Sequence, residues 1–154
     1  MKTKTYSQAE ISHLIQQFEA GTLPKVQWTH EAHLLVGISY AYHYPKAEAM
    51  EKLRLHIRAY NVAVGTPNSD TEGYHESITH FWLWVAMTFL KNQDFPDLES
   101  AARAFLQSEY SRRTYPLLYY SRAHLFSTEA RKTYQKPDRR PLGDHLLKEV
   151  NSLS

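Results

Sequence analysis

The chain has 154 residues, of which 42% are hydrophobic and 22% charged, enough for one domain with a buried core. Its net charge is only +2, with 18 basic and 16 acidic residues, so it lacks the basic character of a nucleic-acid-binding protein. The absence of cysteine excludes disulfides, a thiol nucleophile and Cys-ligated zinc. The N-terminal residues have no signal-peptide apolar core, and the longest apolar run, residues 81–87, is far shorter than the roughly 20 residues of a membrane span. We therefore expect a cytoplasmic protein with no nucleic-acid or membrane partner.

Apolar residues recur at helical spacing along most of the chain, and only five glycines are present, which disfavours a turn-rich β architecture. The pattern predicts core helices over residues 7–20, 30–44, 46–64, 73–91 and 97–110. Residues 111–154 are predicted to form an irregular C-terminal wrap that contains a short helix over 127–134 and a last helix over 144–153. The expected fold class is all-α, a single helical domain over 1–154 with an irregular C-terminal segment.

Local signals fix several predicted helix ends. Ser7 and Glu10 have the spacing of a capping box, and Gly21 is a typical residue just beyond a helix end. Thr29 is a suitable N-cap for the second helix. That helix is apolar almost all round, so we expect it at the centre of the bundle. Gly37 inside it costs about 1 kcal/mol relative to Ala, which predicts the close approach of another helix or of a ligand.

Two stretches concentrate side chains that bind metals, WTHEAHL at 28–34 and GYHES at 73–77. His30 and His33 are three residues apart, so they share one helix face with Cβ atoms about 5–6 Å apart. His75 lies at the start of the fourth helix. If the second and fourth helices pack in parallel, the three imidazoles converge. Three histidines with one open position is an arrangement typical of catalytic zinc or iron sites.

The leading hypothesis is therefore a metal-binding helical protein, a metal-dependent hydrolase acting on a small molecule. Zinc, iron or manganese would be the divalent ion, and it would lower the pKa of a bound water to supply hydroxide. Glu76 would orient a ligand or move a proton, with Glu31 as the other candidate. The pair of histidines alone is a weak signal, because nine histidines are present in the chain.

The alternative is a metal-free module that binds an anionic small molecule or a partner protein. Arg54, Arg58 and Asn61 form a polar stripe on the third helix that is either a solvated face or a pocket wall. The predicted substrate-binding residues are Arg58, Asn61, Tyr74 and Arg122, with Trp28 as a further pocket wall. The basic runs at 111–113 and 138–140 are predicted to be solvated. A homodimer formed through the tyrosine-rich surface is compatible with either hypothesis.

Five motifs, in order, resemble an uncharacterised family of small bacterial proteins: WTHEAHL, RLHIRAYNVAVGTPN, GYHESIT, YYSRAHLFSTEAR and KPDRRPL. The resemblance covers roughly residues 18–142. It implies a bacterial, cytoplasmic protein and implies no particular reaction, since the family has no established activity. Ser77 stands where the family pattern has Thr, a change that keeps the hydroxyl group.

Overall fold

The computed structural model describes residues 4–148, which form seven α-helices and no β-strand. The all-α prediction is confirmed. The helices are α1 Gln8–Ala20, α2 His30–His43, α3 Lys46–Ala63, α4 Glu76–Lys91, α5 Leu98–Gln107, α6 Arg122–Leu125 and α7 Thr128–Lys132. Short 3-10 turns cover Lys25–Gln27, Glu109–Ser111 and Tyr115–Leu118.

The caps predicted for the first two helices are confirmed. Ser7 accepts a hydrogen bond from the Glu10 amide, and the Glu10 carboxylate accepts one from the Ser7 amide. Gly21 follows α1 in the left-handed region, with φ +75°, where only glycine is free of strain. The Thr29 side chain accepts from the Ala32 amide at the start of α2. These bonds satisfy amides that have no partner within their own helices.

Four predictions of helix position differ from the structure by more than one residue. Helix α7 ends at Lys132 rather than at 134, because Thr133 is extended. Helix α4 begins at Glu76 rather than at 73, because the backbone before it is extended and the ring of His75 caps the helix. Helix α5 ends at Gln107 rather than at 110, because Ser108 is extended. Residues 144–148 are not helical, and the remainder of the predicted last helix, 149–153, lies outside the described residues.

Helix α2 lies at the centre of the core, as its all-round apolar sequence predicts. Every residue from Leu34 to Tyr40 is buried. One face contributes Leu34, Leu35 and Ile38 to a core shared with α4, α5 and the tyrosines of the C-terminal half. The other face contributes Val36 and Tyr40 to a second core with α1 and α3. Since α2 is covered on both sides, its backbone provides a rigid wall for its neighbours.

We call residues 111–126 the roof segment, because one of its ends bonds to His30 at the start of α2 and the other to His75 just before α4. Tyr119 and Tyr120 anchor the segment in the core and are fully buried. The C-terminal chain braces it from outside, where Asp138 accepts hydrogen bonds from the Ser121 amide and hydroxyl at 2.8 and 2.7 Å. The Tyr120 hydroxyl donates to the Gln135 carbonyl at 2.6 Å. The roof segment is therefore fixed on both of its sides.

Candidate functional site

A cavity of about 610 Å³ lies between the roof segment and helices α2, α3 and α4. This volume is in the range of sites for small organic ligands. Its apolar wall consists of Trp28, Leu34, Gly37, Leu53, Ile57, Ile78, Trp82, Leu83, Pro116, Leu117, Leu125 and Phe126. Its polar wall consists of Thr29, His30, His33, Thr79, Arg113, Thr114 and Arg122. No carboxylate from the described part of the chain lines this space.

His30 joins helix α2 to the start of the roof segment. Its Nε2–H donates to the Ser111 carbonyl at 2.8 Å, and its ring meets the Trp82 ring edge-on with centroids 5.4 Å apart. Desolvation lowers the pKa of His30, the bond to Ser111 opposes that shift, and the charge of Arg113 adds to it. His30 is thus a neutral ring that holds one end of the roof segment while lining the cavity.

His33 stands against the face of Trp28, with ring centroids 3.8 Å apart. Its Nδ1–H donates to the Thr29 carbonyl at 2.7 Å, which fixes the tautomer and leaves Nε2 with a lone pair. The His33 side chain is exposed, and it loses hydration where the Trp28 ring packs against it. Desolvation lowers the pKa of His33, the bond to the Thr29 carbonyl opposes that shift, and the charge of Arg113 adds to it. The ring is therefore neutral near pH 7.

His75 does not line the cavity, and both of its ring nitrogens are occupied. Nδ1 accepts from the Ile78 amide at 3.1 Å as the cap of α4, and Nε2–H donates to the Leu125 carbonyl at 2.8 Å. Desolvation lowers the pKa of His75, consistent with a neutral ring whose Nδ1 must accept. The structure thus separates His75 from the predicted trio. Within residues 4–148, no group of three or more His, Asp or Glu side chains is arranged to hold a metal ion.

Glu76, the predicted acid or base, lies in a hydrogen-bonded cluster outside the cavity lining. Arg54 donates twice to the carboxylate at 3.0 and 2.6 Å, the Tyr74 hydroxyl donates at 2.7 Å, and His80 Nε2 lies 3.0 Å away. Burial by itself raises the pKa of Glu76, but the bonds from His80, Arg54 and Tyr74 outweigh it and hold the pKa well below its usual range. A carboxylate with this many donors is a weak base.

The other predicted substrate-binding residues of this region stabilise the loop before α4. Asn61 Nδ2 donates to Asn68 Oδ1 at 2.9 Å, and the Tyr74 amide donates to the same oxygen at 3.0 Å. Asn68 Nδ2 donates to the Arg58 carbonyl at 3.1 Å. The Arg58 guanidinium lies 5.7 Å from the centre of the Tyr74 ring. Arg58, Asn61 and Tyr74 therefore support the loop, and none of them lines the cavity.

Arg122 is the one predicted substrate-binding residue that lines the cavity, and Arg113 lies in the same wall. Both are exposed, and neither makes an ion pair within residues 4–148. Sequence reasoning missed Arg113, which belongs to the basic run at 111–113 predicted to be solvated. It also missed Trp82 and Phe126, which line the cavity. The only sequence signal for Arg113 and Phe126 was the mixture of basic and aromatic side chains on irregular chain, whereas Trp82 belongs to helix α4.

No protein-family model, curated protein or solved structure matches this chain. The resemblance to small bacterial proteins therefore stays a prediction, and so does the assignment to a bacterial cytoplasm. Within residues 4–148, none of the helices combines the length and the apolar character needed to cross a bilayer.

Proposed function

We infer that the protein binds a small organic anion with an apolar body, which corresponds to the metal-free hypothesis. The composition of the cavity wall supports the proposal. The wall is mainly apolar, it contains two arginines without ion pairs, and no carboxylate of the described chain lies in it. A neutral apolar ligand would gain nothing from the two guanidinium groups, and a cation would be repelled by them.

The distribution of the side chains also suggests how the anion is oriented. Arg113 and Arg122 both belong to the roof segment, whereas Leu53, Ile57 and Trp82 come from the helices opposite. A guanidinium holds a carboxylate or phosphate through two parallel hydrogen bonds. The charged group of the ligand would therefore bind to the roof segment, and its apolar body would contact α3 and α4.

The apolar body supplies much of the affinity. Burial of apolar surface is worth roughly 25 cal/mol per Å², so a phenyl-sized body contributes a few kcal/mol before the cost of association. The arginines supply selectivity for a negative charge, since exposed ion pairs alone are worth only about 1 kcal/mol. The expected natural ligand is thus an amphipathic acid and not inorganic phosphate.

The test is calorimetric titration with 3-phenylpropionate and its neutral amide, using the full chain. The acid is expected to bind and the amide to bind at least 10-fold more weakly. Arg113→Gln and Arg122→Gln are each expected to weaken the acid about 5- to 10-fold and leave the amide unchanged. Arg103→Gln is the matched control, because Arg103 lies on α5 outside the cavity and is exposed. Equal binding of acid and amide, or equal effects of all three variants, would overturn the proposal.

The metal-dependent hydrolase predicted from the sequence is the weaker proposal, because both nitrogens of His75 already bond to protein and Glu76 is held by Arg54, Tyr74 and His80. Of the three predicted metal ligands, only His30 and His33 line the cavity. Metal content by plasma mass spectrometry of untagged protein decides the matter. About one equivalent of zinc, iron or manganese, lost in the His30→Ala/His33→Ala double variant, would restore that hypothesis.

A further inference from the structure

We propose that His33 makes the cavity selective for anions that also carry a hydroxyl group, that is, for apolar hydroxy acids over plain acids. This inference rests on the proposed function and specifies the class of anion. It assigns to His33 the role of a hydrogen-bond acceptor that the ligand must satisfy.

The tautomer of His33 is set by the backbone of the helix start. Nδ1–H donates to the Thr29 carbonyl at 2.7 Å. The same carbonyl accepts the His33 amide at 3.0 Å, so it is held in place as the first helical acceptor of α2. Because the one ring proton of a neutral imidazole is used in this bond, Nε2 carries only a lone pair.

Nε2 of His33 has no hydrogen-bond partner within residues 4–148, and His33 lines the cavity. Every buried side-chain nitrogen and oxygen in that range has a partner, so Nε2 is not among the buried atoms. Nε2 is therefore open to solvent, and it belongs to a residue that lines the cavity. A ligand that occupies the cavity displaces the water that satisfies this nitrogen.

The charge state of the His33 ring decides whether Nε2 accepts or donates a hydrogen bond. Desolvation and the charge of Arg113 favour the neutral form, and no carboxylate of the described chain lines the cavity to oppose them. A neutral ring accepts at Nε2 and cannot donate there. An acceptor that loses its water without gaining a donor costs binding free energy, so a plain acid is penalised and a hydroxy acid is not.

The test compares two probes that differ by one hydroxyl, 3-phenylpropionate and 3-phenyllactate, by calorimetric titration of the full chain at pH 7.5. Both are fully ionised at this pH, so the comparison isolates the hydroxyl. The parent protein is expected to bind phenyllactate about 5- to 10-fold more tightly, the effect of one neutral hydrogen bond.

His33→Phe keeps an aromatic ring against Trp28 but has no acceptor, so it is expected to bind the two probes equally. His33→Gln offers an amide oxygen and is expected to retain part of the preference. The melting temperature of each variant checks that it is folded. A preference that survives unchanged in a folded His33→Phe variant would overturn the inference.

Repeating the titrations in phosphate and Tris buffers counts the protons that binding takes up. If the parent binds both probes equally and takes up about one proton per ligand, His33 is a donor to the anion and the inference is wrong. In that outcome the effect of Arg113→Gln still tests the proposed function separately. Binding of neither probe would overturn both.

Discussion

Residues 28–37 and residues 73–80 carry similar side chains but differ in how completely the protein uses their hydrogen-bonding atoms. In the second region His75 has partners for both nitrogens, and Glu76 accepts from Arg54 and Tyr74 with His80 alongside. In the first region His33 retains an open nitrogen in a cavity wall. Polar atoms that the fold already satisfies stabilise it, and atoms that remain open are available to a ligand.

The largest expected effect is on stability in the second region. Glu76→Ala removes the acceptor for Arg54, Tyr74 and His80, and we expect it to lower the free energy of unfolding by about 2–3 kcal/mol. The loss should fall short of the roughly 3–5 kcal/mol of a fully buried pair, because the Arg54 side chain is 40% exposed. Urea unfolding measures this loss of free energy. Glu51→Ala, at an exposed position, is the control and should stay within about 0.5 kcal/mol of the parent protein. The affinity for 3-phenylpropionate should not change. A large change would contradict the conclusion that residues 73–80 act in stability and not in ligand binding.

The two glycines of these regions are expected to respond with opposite signs. A Cβ at Gly73 would lie 2.0 Å from the Pro67 carbonyl oxygen at φ +85°, so Gly73→Ala should cost about 2 kcal/mol of unfolding free energy. A Cβ at Gly37 would meet nothing within 4 Å, so Gly37→Ala should stabilise the protein by about 1 kcal/mol. Gly37 also lines the cavity, and the added methyl group should weaken binding of ligands that fill it.

Thermal unfolding of the two variants, monitored by circular dichroism, separates these effects. A destabilised Gly37→Ala would mean that the wall of the cavity is closer to α3 and α4 than the structure shows. A neutral Gly73→Ala would contradict the tight packing of the loop against Pro67 and Asn68.

Loss of the cap of α4 should have a smaller effect. His75→Ala removes an acceptor for the Ile78 amide and a donor to the Leu125 carbonyl, and we expect a cost of about 1–2 kcal/mol. Exposed His13→Ala serves as the matched control and should be neutral. Hydrogen exchange should show faster exchange in residues 122–126 of the His75 variant, since the end of the roof segment loses its bond to α4. Unchanged exchange there would show that the bond to Leu125 is dispensable.

The smallest expected effect is the dependence of stability on pH. The folded-state pKa values of His30, His33 and His75 lie below the value of 6.5 expected in the unfolded chain. As the pH falls from 8 to 5, the unfolded chain binds protons first, so stability is complete above about 6.5 and declines toward the lowered folded pKa values. Urea midpoints across this range measure the decline. His75→Ala should reduce it, and a stability that rises on acidification would contradict the sign.

The fold was largely predictable because its signals are local. The capping box of Ser7 and Glu10, the left-handed Gly21 and the Thr29 cap act within one turn of chain, and each is confirmed. The start of α4 was misplaced because His75 is an unusual N-cap, and its use there depends on the distant Leu125 carbonyl. Propensity and spacing carry no information about such a partner.

The site was less predictable because it depends on which face of each helix meets the roof segment. Spacing correctly indicated that His30 and His33 share a face, but it could not show that His30 would bond to Ser111, 81 residues away. Arg58 and Asn61 belong to a polar stripe that spacing alone could assign either to solvent or to a pocket wall, and in the structure they contact Tyr74 and Asn68. Whether an arginine lines a cavity depends on tertiary packing, and the sequence around Arg113 does not indicate it.

The two histidine bonds to the roof segment have a consequence for the order of folding. They join residues that are 81 and 50 positions apart in the chain, His30 with Ser111 and His75 with Leu125. Contacts at such separation form only after a large loss of chain entropy, whereas the helical turns form locally and early. We expect the helices to assemble first and the cavity to close in the last step, so a refolding chain should regain helical circular dichroism before it regains the ability to bind a ligand.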